Sequence, residues 1–288
     1  LLGSSNAEDI AIEGGGVVDG GWPRGGGPRL LQFRYGRDVH LRNVTFRNSG
    51  FWTLHFFACT QVSVVSSRIL NGITVGQTDG VDLDSTRDAY VAWNHIEVGD
   101  DGVALKSGAD YCGRQFGRAT QNVTIEYNFF NFSGGVAVGS EMSGDVHDVL
   151  VRHNVLRGDA HRHPELWTWG PRVLCLKSAR GRGGTIANIL VQNTTCIDCD
   201  EIVRIEFGGA GSLTNVSATP QVRNVTVRSV SGTCEELGEF NGLPESPLDI
   251  SFFDVVVTPF RKTASSSSTA ASYEGCSPLS PSGVGQNN

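Results

Sequence analysis

Long apolar runs are missing from this 288-residue chain, and no extended stretch carries a helical apolar period. Nothing approaches the roughly 20 apolar residues that span a bilayer as a helix. A helical span is therefore excluded, and no membrane partner is expected. Positive charge is in deficit: 23 Lys and Arg stand against 30 Asp and Glu, a net charge of −7. General nucleic-acid binding needs a basic surface, so that class of partner drops out. A local positive groove for an anionic ligand remains open, with Lys106, Arg172, Lys177, Arg180 and Arg182 to build it. Met142 is the only methionine. The chain thus lacks an initiator and opens inside a repeat, as a processed form or an excerpt would, and the missing signal peptide says nothing of compartment. Two-residue hairpin turns of the Asn-Gly kind are few, which counts against antiparallel strand pairs.

Glycine, by contrast, is abundant at 37 residues, and the chain repeats. An Asn, Asp or Gln followed by a short alternating apolar segment recurs at Asp9, Asp38, Gln61, Asp88, Asn122, Asp148, Asn188, Asn224 and Asp249. From Asp38 onward the intervals run from 23 to 40 residues. The segments are rich in Val, Ile, Thr and Phe, and alternate side chains fall on one face, as in strands. Short strands at such a spacing predict a solenoid whose stacked coils share one core. A parallel β-helix fits best, an all-β fold with Gly-rich corners; a β-sandwich or a propeller is the runner-up. The β-helix domain is expected over residues 1–262. The Ser-rich stretch Thr263–Ser272 then opens a flexible tail, 263–288, that contains Cys276.

Seven cysteines are present. The pair Cys196 and Cys199 in CIDC lacks a second ligand pair for zinc, so a local disulfide or buried thiols are expected. Sequons stand at Asn43, Asn122, Asn131, Asn193, Asn215 and Asn224, in keeping with a secreted glycoprotein. An irregular insertion, Gly158–Gly170, carries His161 and His163, a pair of the kind that can ligate metal, and Trp167 and Trp169, which share one face if extended.

The most informative stretch runs from Gln77 to Gly108. It sets Asp79, Asp100 and Asp101 in two Gly-flanked turns about one coil apart. Crowded carboxylates repel one another, so a chain that gathers three is equipped for acid/base chemistry or for holding a cation. The plain alternative is a pair of Asp-Gly turns.

Four motifs occur in order: QTDG (Gln77–Gly80), VGDDGVALKSG (Val98–Gly108), SGGVAVGSEMSG (Ser133–Gly144) and CLKSARGRGG (Cys175–Gly184). On these residues, and across the repeats from Asn6 to Val257, the chain resembles glycoside hydrolase family 28, the polygalacturonase family, most of all its plant-type branch. The resemblance implies a single-stranded right-handed parallel β-helix and an inverting hydrolase that cleaves α-linked galacturonic acid chains of pectin. It implies no cofactor and no catalytic metal, a monomer, and a secreted protein acting at the cell wall. Asp100 would be the general acid, and Asp79 and Asp101 the pair that orients and deprotonates water. Gln77, Lys106, Lys177 and Arg182 would bind substrate. Inversion leads us to expect acid and base carboxyls about 6.5–9.5 Å apart. Because neighbours on a strand face opposite ways, the turn at Gly99 must break strand geometry if Asp100 and Asp101 are both to serve. Three positions depart from the family pattern: its His falls on Gly134, its Arg on Cys175, and the Cys that often follows GDD on Gly102. Two other readings keep the resemblance but change the function: a pectate-lyase-type enzyme using Ca²⁺, and a saccharide-binding β-helix that has lost activity.

Overall fold

Eight of the nine repeat markers turn out to be left-handed corners; Asp249 lies inside the strand Leu248–Pro259. Asp9, Asp38, Gln61, Asp88, Asn122, Asp148, Asn188 and Asn224 all have positive φ, between 51° and 59°. Asn and Asp tolerate this left-handed conformation better than most residues, which is why the repeat is marked by those types. Stacked corners also bond to one another. The Asn122 Nδ2 donates to Asp88 Oδ1 at 2.6 Å, Asn188 Nδ2 to Asp148 Oδ1 at 2.9 Å, and Asn224 Nδ2 to Asn188 Oδ1 at 2.9 Å.

The computed structural model describes residues 2–158, 170–208 and 218–259, and the backbone of 271–273. Between corners the chain runs as short strands. One coil consists of Val81–Asp84, Arg87–Ala92 and His95–Glu97. Each strand pairs in parallel with its counterparts one coil before and one coil after. The first sheet stacks Leu2–Ser5, Leu31–Arg34, Leu54–Phe57, Val81–Asp84, Val103–Lys106, Val136–Val138 and Arg172–Lys177, then residues 201–206 and 236–241. That makes nine coils among the described residues. Later coils run through their corners as continuous strands, Thr185–Glu206 and Gln221–Asn241. The fold is thus the right-handed parallel β-helix expected, not a sandwich or a propeller.

The register builds the core as columns. Phe33, Phe56, Leu83, Leu105, Val138, Leu176 and Ile205 occupy one inward row, and all are buried. Each such side chain contributes about 1.5–3 kcal/mol by leaving water. At the next corner a buried amide ladder replaces apolar contact. Asn94 Nδ2 donates to Asn128 Oδ1, and Asn128 Nδ2 to Asn154 Oδ1, while the same oxygens accept from the backbone N–H of the preceding coil's corner. Buried amides are tolerable only when satisfied in this way.

A seven-residue helix, Asp110–Phe116, interrupts the fifth coil and ends at the left-handed Gly117. It packs Phe116 on Phe57, ring centroids 5.7 Å apart. Cys196 and Cys199 form the local disulfide. Residues 271–273 lie antiparallel to Val255–Val257. The rest of the expected tail lies outside the described residues, as do the histidines and tryptophans of the insertion, Asn215 and Cys276.

Candidate active site

Register brings the carboxylates together. Val81 pairs with Val103, so continuing the ladder backward sets Asp79 beside Asp101. The Gly80 N–H donates to the Asp101 carbonyl at 2.9 Å and fixes that alignment in the turns. Residues 98–102 are not a strand. Freed from the pleat, Asp100 and Asp101 both reach the first sheet's outer face, as the Gly99 turn required. One oxygen from each of Asp79, Asp100 and Asp101 lies within 4.8 Å of the others. Asp79 and Asp101 come from adjacent coils, whose strands lie only about 4.8 Å apart, and Asp100 is the neighbour of Asp101 in the same turn.

Their environments differ. Asp79 is 3% exposed, and burial, joined by Asp101 and Asp100 and opposed by Lys106, raises its pKa to about 7. Asp100 is half-buried; burial and then Asp101 raise its pKa as well. Its carboxylate accepts two backbone N–H groups, Gln77 at 2.8 Å and Asp101 at 3.0 Å. Asp101 accepts a 2.7 Å charge-assisted bond from Lys177 Nζ.

The four residues assigned to substrate binding fall in different places. Lys177 lies against Asp101 at the edge of the site. Gln77 has a left-handed backbone and an exposed side chain; it meets the site through its main-chain N–H, which donates to Asp100. Lys106 is 4% exposed and enclosed by the protein's own carboxylates: Glu141 at 3.2 Å, Asp79 at 3.8 Å and Asp82 at 3.9 Å. Burial opposes its charge, but Asp79, Glu141 and Asp82 outweigh burial and raise its pKa. Its ammonium also sits 4.6 Å from the Trp52 ring centroid. Arg182 is farther back, 3.7 Å from Glu141 and 3.9 Å from Asp110. Burial works against the Glu141 charge, yet Lys106 and then Arg182 bring its pKa down to about 2.

Asp82, Glu141 and Trp52 were not singled out from the sequence. Asp82 is fully buried, and burial followed by the Asp79 charge pushes its pKa well above the usual carboxylate range. Its signal was present in VDLD, where carboxylates alternate with core residues on the strand directly after Asp79. Glu141 stands inside the third motif. Trp52 had no signal, since register alone brings it beside Lys106.

The departures have physical neighbours. A Cβ on Gly134 would stand 3.2 Å from Asp101 Oδ1, so a side chain at 134 would press on the carboxylate. At Gly102 a Cβ would meet Phe130 at 2.5 Å, so the Phe130 ring fills the space a Cys would need. Cys175 is 2% exposed, its thiol pushed up to about 12, chiefly by burial. Across the ladder it faces Arg204, which Glu201 and Glu239 hold at 2.8 and 2.7 Å. Arg172 points away and pairs with Glu201 at 3.5 Å.

Chemically, the cluster can give and take protons at one spot while Lys177 and Lys106 supply positive charge beside it. The same oxygens could surround a cation, but the two ammonium groups already do part of that work.

The chain is 30% identical over 209 residues to a probable polygalacturonase of Vitis vinifera, covering 68% of this chain and 40% of that protein. It is 26% identical over 235 residues to an endo-polygalacturonase of Pectobacterium carotovorum subsp. carotovorum, covering 80% and 53% respectively. It thus spans about half the length of the curated relatives it matches. Its fold matches the crystal structure of a hyperthermoactive exopolygalacturonase from Thermotoga maritima with a TM-score of 0.71 at 25% identity, covering 88% of this chain and 58% of the other. The family model described as Glycosyl hydrolases family 28 matches residues 5–272, and the chain belongs to that family.

Proposed function

We propose that this protein is a secreted glycoside hydrolase that cleaves α-linked galacturonosyl bonds of pectin. One observation carries the reading: three carboxyl groups from adjacent coils meet beside Lys177, which is bonded to one of them. Glycoside hydrolysis needs a protonated acid and an ionised partner at one sugar. Burial holds Asp79 protonated in mildly acidic solution, with a pKa of about 7, and raises the Asp100 pKa in the same direction. In this reading Asp100 protonates the leaving oxygen, Asp101 takes the proton of the attacking water, and Asp79 holds that water. Lys177 orients Asp101 and meets a substrate carboxylate. Lys106 is reassigned from substrate binding to neutralising Asp79, Asp82 and Glu141, and Arg182 to holding Glu141.

We assign inversion from the family resemblance. The product anomer tests that assignment. Proton NMR of the first-formed product should show the β-anomer from an α-linked substrate; the α-anomer would mean retention. Reducing-sugar release from polygalacturonate that is saturated and indifferent to chelator is expected. Unsaturated product that disappears with chelator would mean lyase chemistry on Ca²⁺; binding without product would mean a saccharide-binding protein. Secretion is supported by the Cys196–Cys199 disulfide and by exposed sequons at Asn43 and Asn193.

A further inference from the structure

We propose that a cavity at the corner between the first and second sheets, lined by Arg37, Thr60 and Arg87, binds a small dianionic oxyanion of the sulfate or phosphate type. The proposal is independent of the hydrolase reading, since none of these residues belongs to the carboxylate cluster. The cavity has a volume of about 440 Å³, within the range of small-ligand sites, and Gln61 and Asp88 complete its lining. Register assembles it. Arg37, Thr60 and Arg87 open the second-sheet strands Arg37–Arg42, Thr60–Val65 and Arg87–Ala92 and pair in one row. Two strand spacings set the backbones of the two arginines about 10 Å apart, with Thr60 between them.

Positive charge converges there without a matching negative charge. Arg87 Nε donates to Thr60 Oγ1 at 3.4 Å. Arg118 Nη2, from the loop after the helix, donates to the same oxygen at 3.1 Å. Arg118 is fixed in that position by the carbonyls of Ser85 at 2.8 Å and Cys59 at 3.0 Å. Two guanidinium groups on one hydroxyl repel each other; burial and then the Arg87 charge hold the Arg118 pKa below its ordinary value. Arg37 Nε donates to Gln61 Oε1 at 3.3 Å. With each Nε engaged, the Nη groups of Arg37 and Arg87 have no acceptor among the described residues. Neither Arg37 nor Arg118 has an ion-pair partner among them, and Arg87 has Asp88 alone, at 4.0 Å. Asp88 also accepts from Asn122 Nδ2 at 2.6 Å, which ties it into its own corner column. Three cations against this one carboxylate leave a positive surplus in a chain whose net charge is −7.

A bound oxyanion relieves that repulsion. The Thr60 hydroxyl already accepts two N–H groups, and its own proton has no acceptor among the described residues, so it can donate to the anion. The guanidinium groups of Arg37 and Arg87 add N–H forks from either side, the geometry that suits sulfate and phosphate oxygens. Donors arriving from three directions fit a tetrahedral anion better than a planar carboxylate. The ion would bridge the second, third and fourth coils and, through Thr60, the Arg118 loop. Its occupancy would therefore stabilise the native stack.

Sulfate is the probe, because it stays a dianion across the working pH range. Titration calorimetry on the full chain in dilute chloride buffer should show a saturable sulfate site. Arg87→Gln and Arg37→Gln each remove an exposed cation and leave the core untouched. Each should weaken binding about tenfold or more, the loss of one charge-assisted contact. Sulfate also stabilises proteins in general by exclusion from their surface. The Tm gain over chloride at equal ionic strength should therefore shrink in both variants and persist in Arg34→Gln, which removes an exposed arginine of the first sheet. No sulfate binding by the wild type would overturn the proposal. So would binding that neither variant weakens, or an equal loss in Arg34→Gln, which would mark a general charge effect. Phosphate should compete with sulfate; acetate competing as well as phosphate would overturn the tetrahedral class.

Discussion

Replacing Asp79 by Asn should change how stability depends on pH. In the folded protein burial raises the Asp79 pKa from 3.8 to about 7. Between those values the native state holds a proton that the unfolded chain has released. Stability must then fall as pH rises through that window, because deprotonation favours the unfolded state. A shift of about three units at 1.36 kcal/mol each gives about 4 kcal/mol as an upper bound for the loss from pH 4 to pH 7. Asn has nearly the same shape and does not titrate. The variant should match the parent near pH 4 and exceed it in stability by a few kcal/mol near pH 7.5. Asp82 and Asp100, also raised by burial, leave a residual slope of the same sign. Glu141, brought down to about 2, loses its contribution as pH falls below about 4.5, a slope of opposite sign that reaches only the acid edge of the window and is common to parent and variant. Urea unfolding followed by tryptophan fluorescence, at several pH values and fixed ionic strength, measures the difference. Parallel profiles for parent and variant would refute the reasoning. So would an Asp79→Asn variant less stable than the parent at pH 7.5, since the ion pair with Lys106 at 3.8 Å would then outweigh burial.

Three further outcomes follow from the same geometry. Asp100→Asn or Asp101→Asn should lower kcat on polygalacturonate by about a hundredfold or more without loss of fold, as read by circular dichroism and initial rates; near-normal rates in both would remove the catalytic assignment. Cys175→Arg would place a planar cation beside Lys177 and raise kcat/KM on unsubstituted polygalacturonate about tenfold, while overpacking a site only 2% exposed lowers stability by about 1–3 kcal/mol; unchanged kinetics in a folded variant would show that Lys177 suffices. Leu83→Ala should cost about 2–5 kcal/mol in equilibrium unfolding, because Phe56 and Leu105 stack above and below it and cannot both collapse into the gap.

The solenoid was legible in the sequence because its signals are local. An Asp or Asn that turns left-handed marks one corner of most coils, and the alternating Val and Ile beside it mark the strand that follows, so residues such as Asp88 and Asn122 announce the coil without any partner. The carboxylate trio was legible for a related reason: in a β-helix one coil is one repeat, and motifs a repeat apart in sequence become neighbours in space, as Asp79 and Asp101 do. Three-dimensional structure decided the rest. Whether Lys106 faces solvent or is enclosed depends on Glu141 and Trp52, which reach it from different coils. The closeness of the carboxyl groups follows from strand spacing and from a turn that releases Asp100 from the pleat, neither of which a motif encodes. Period and turn chemistry belong to the chain itself, whereas burial, charge pairing and pKa exist only once the coils are stacked.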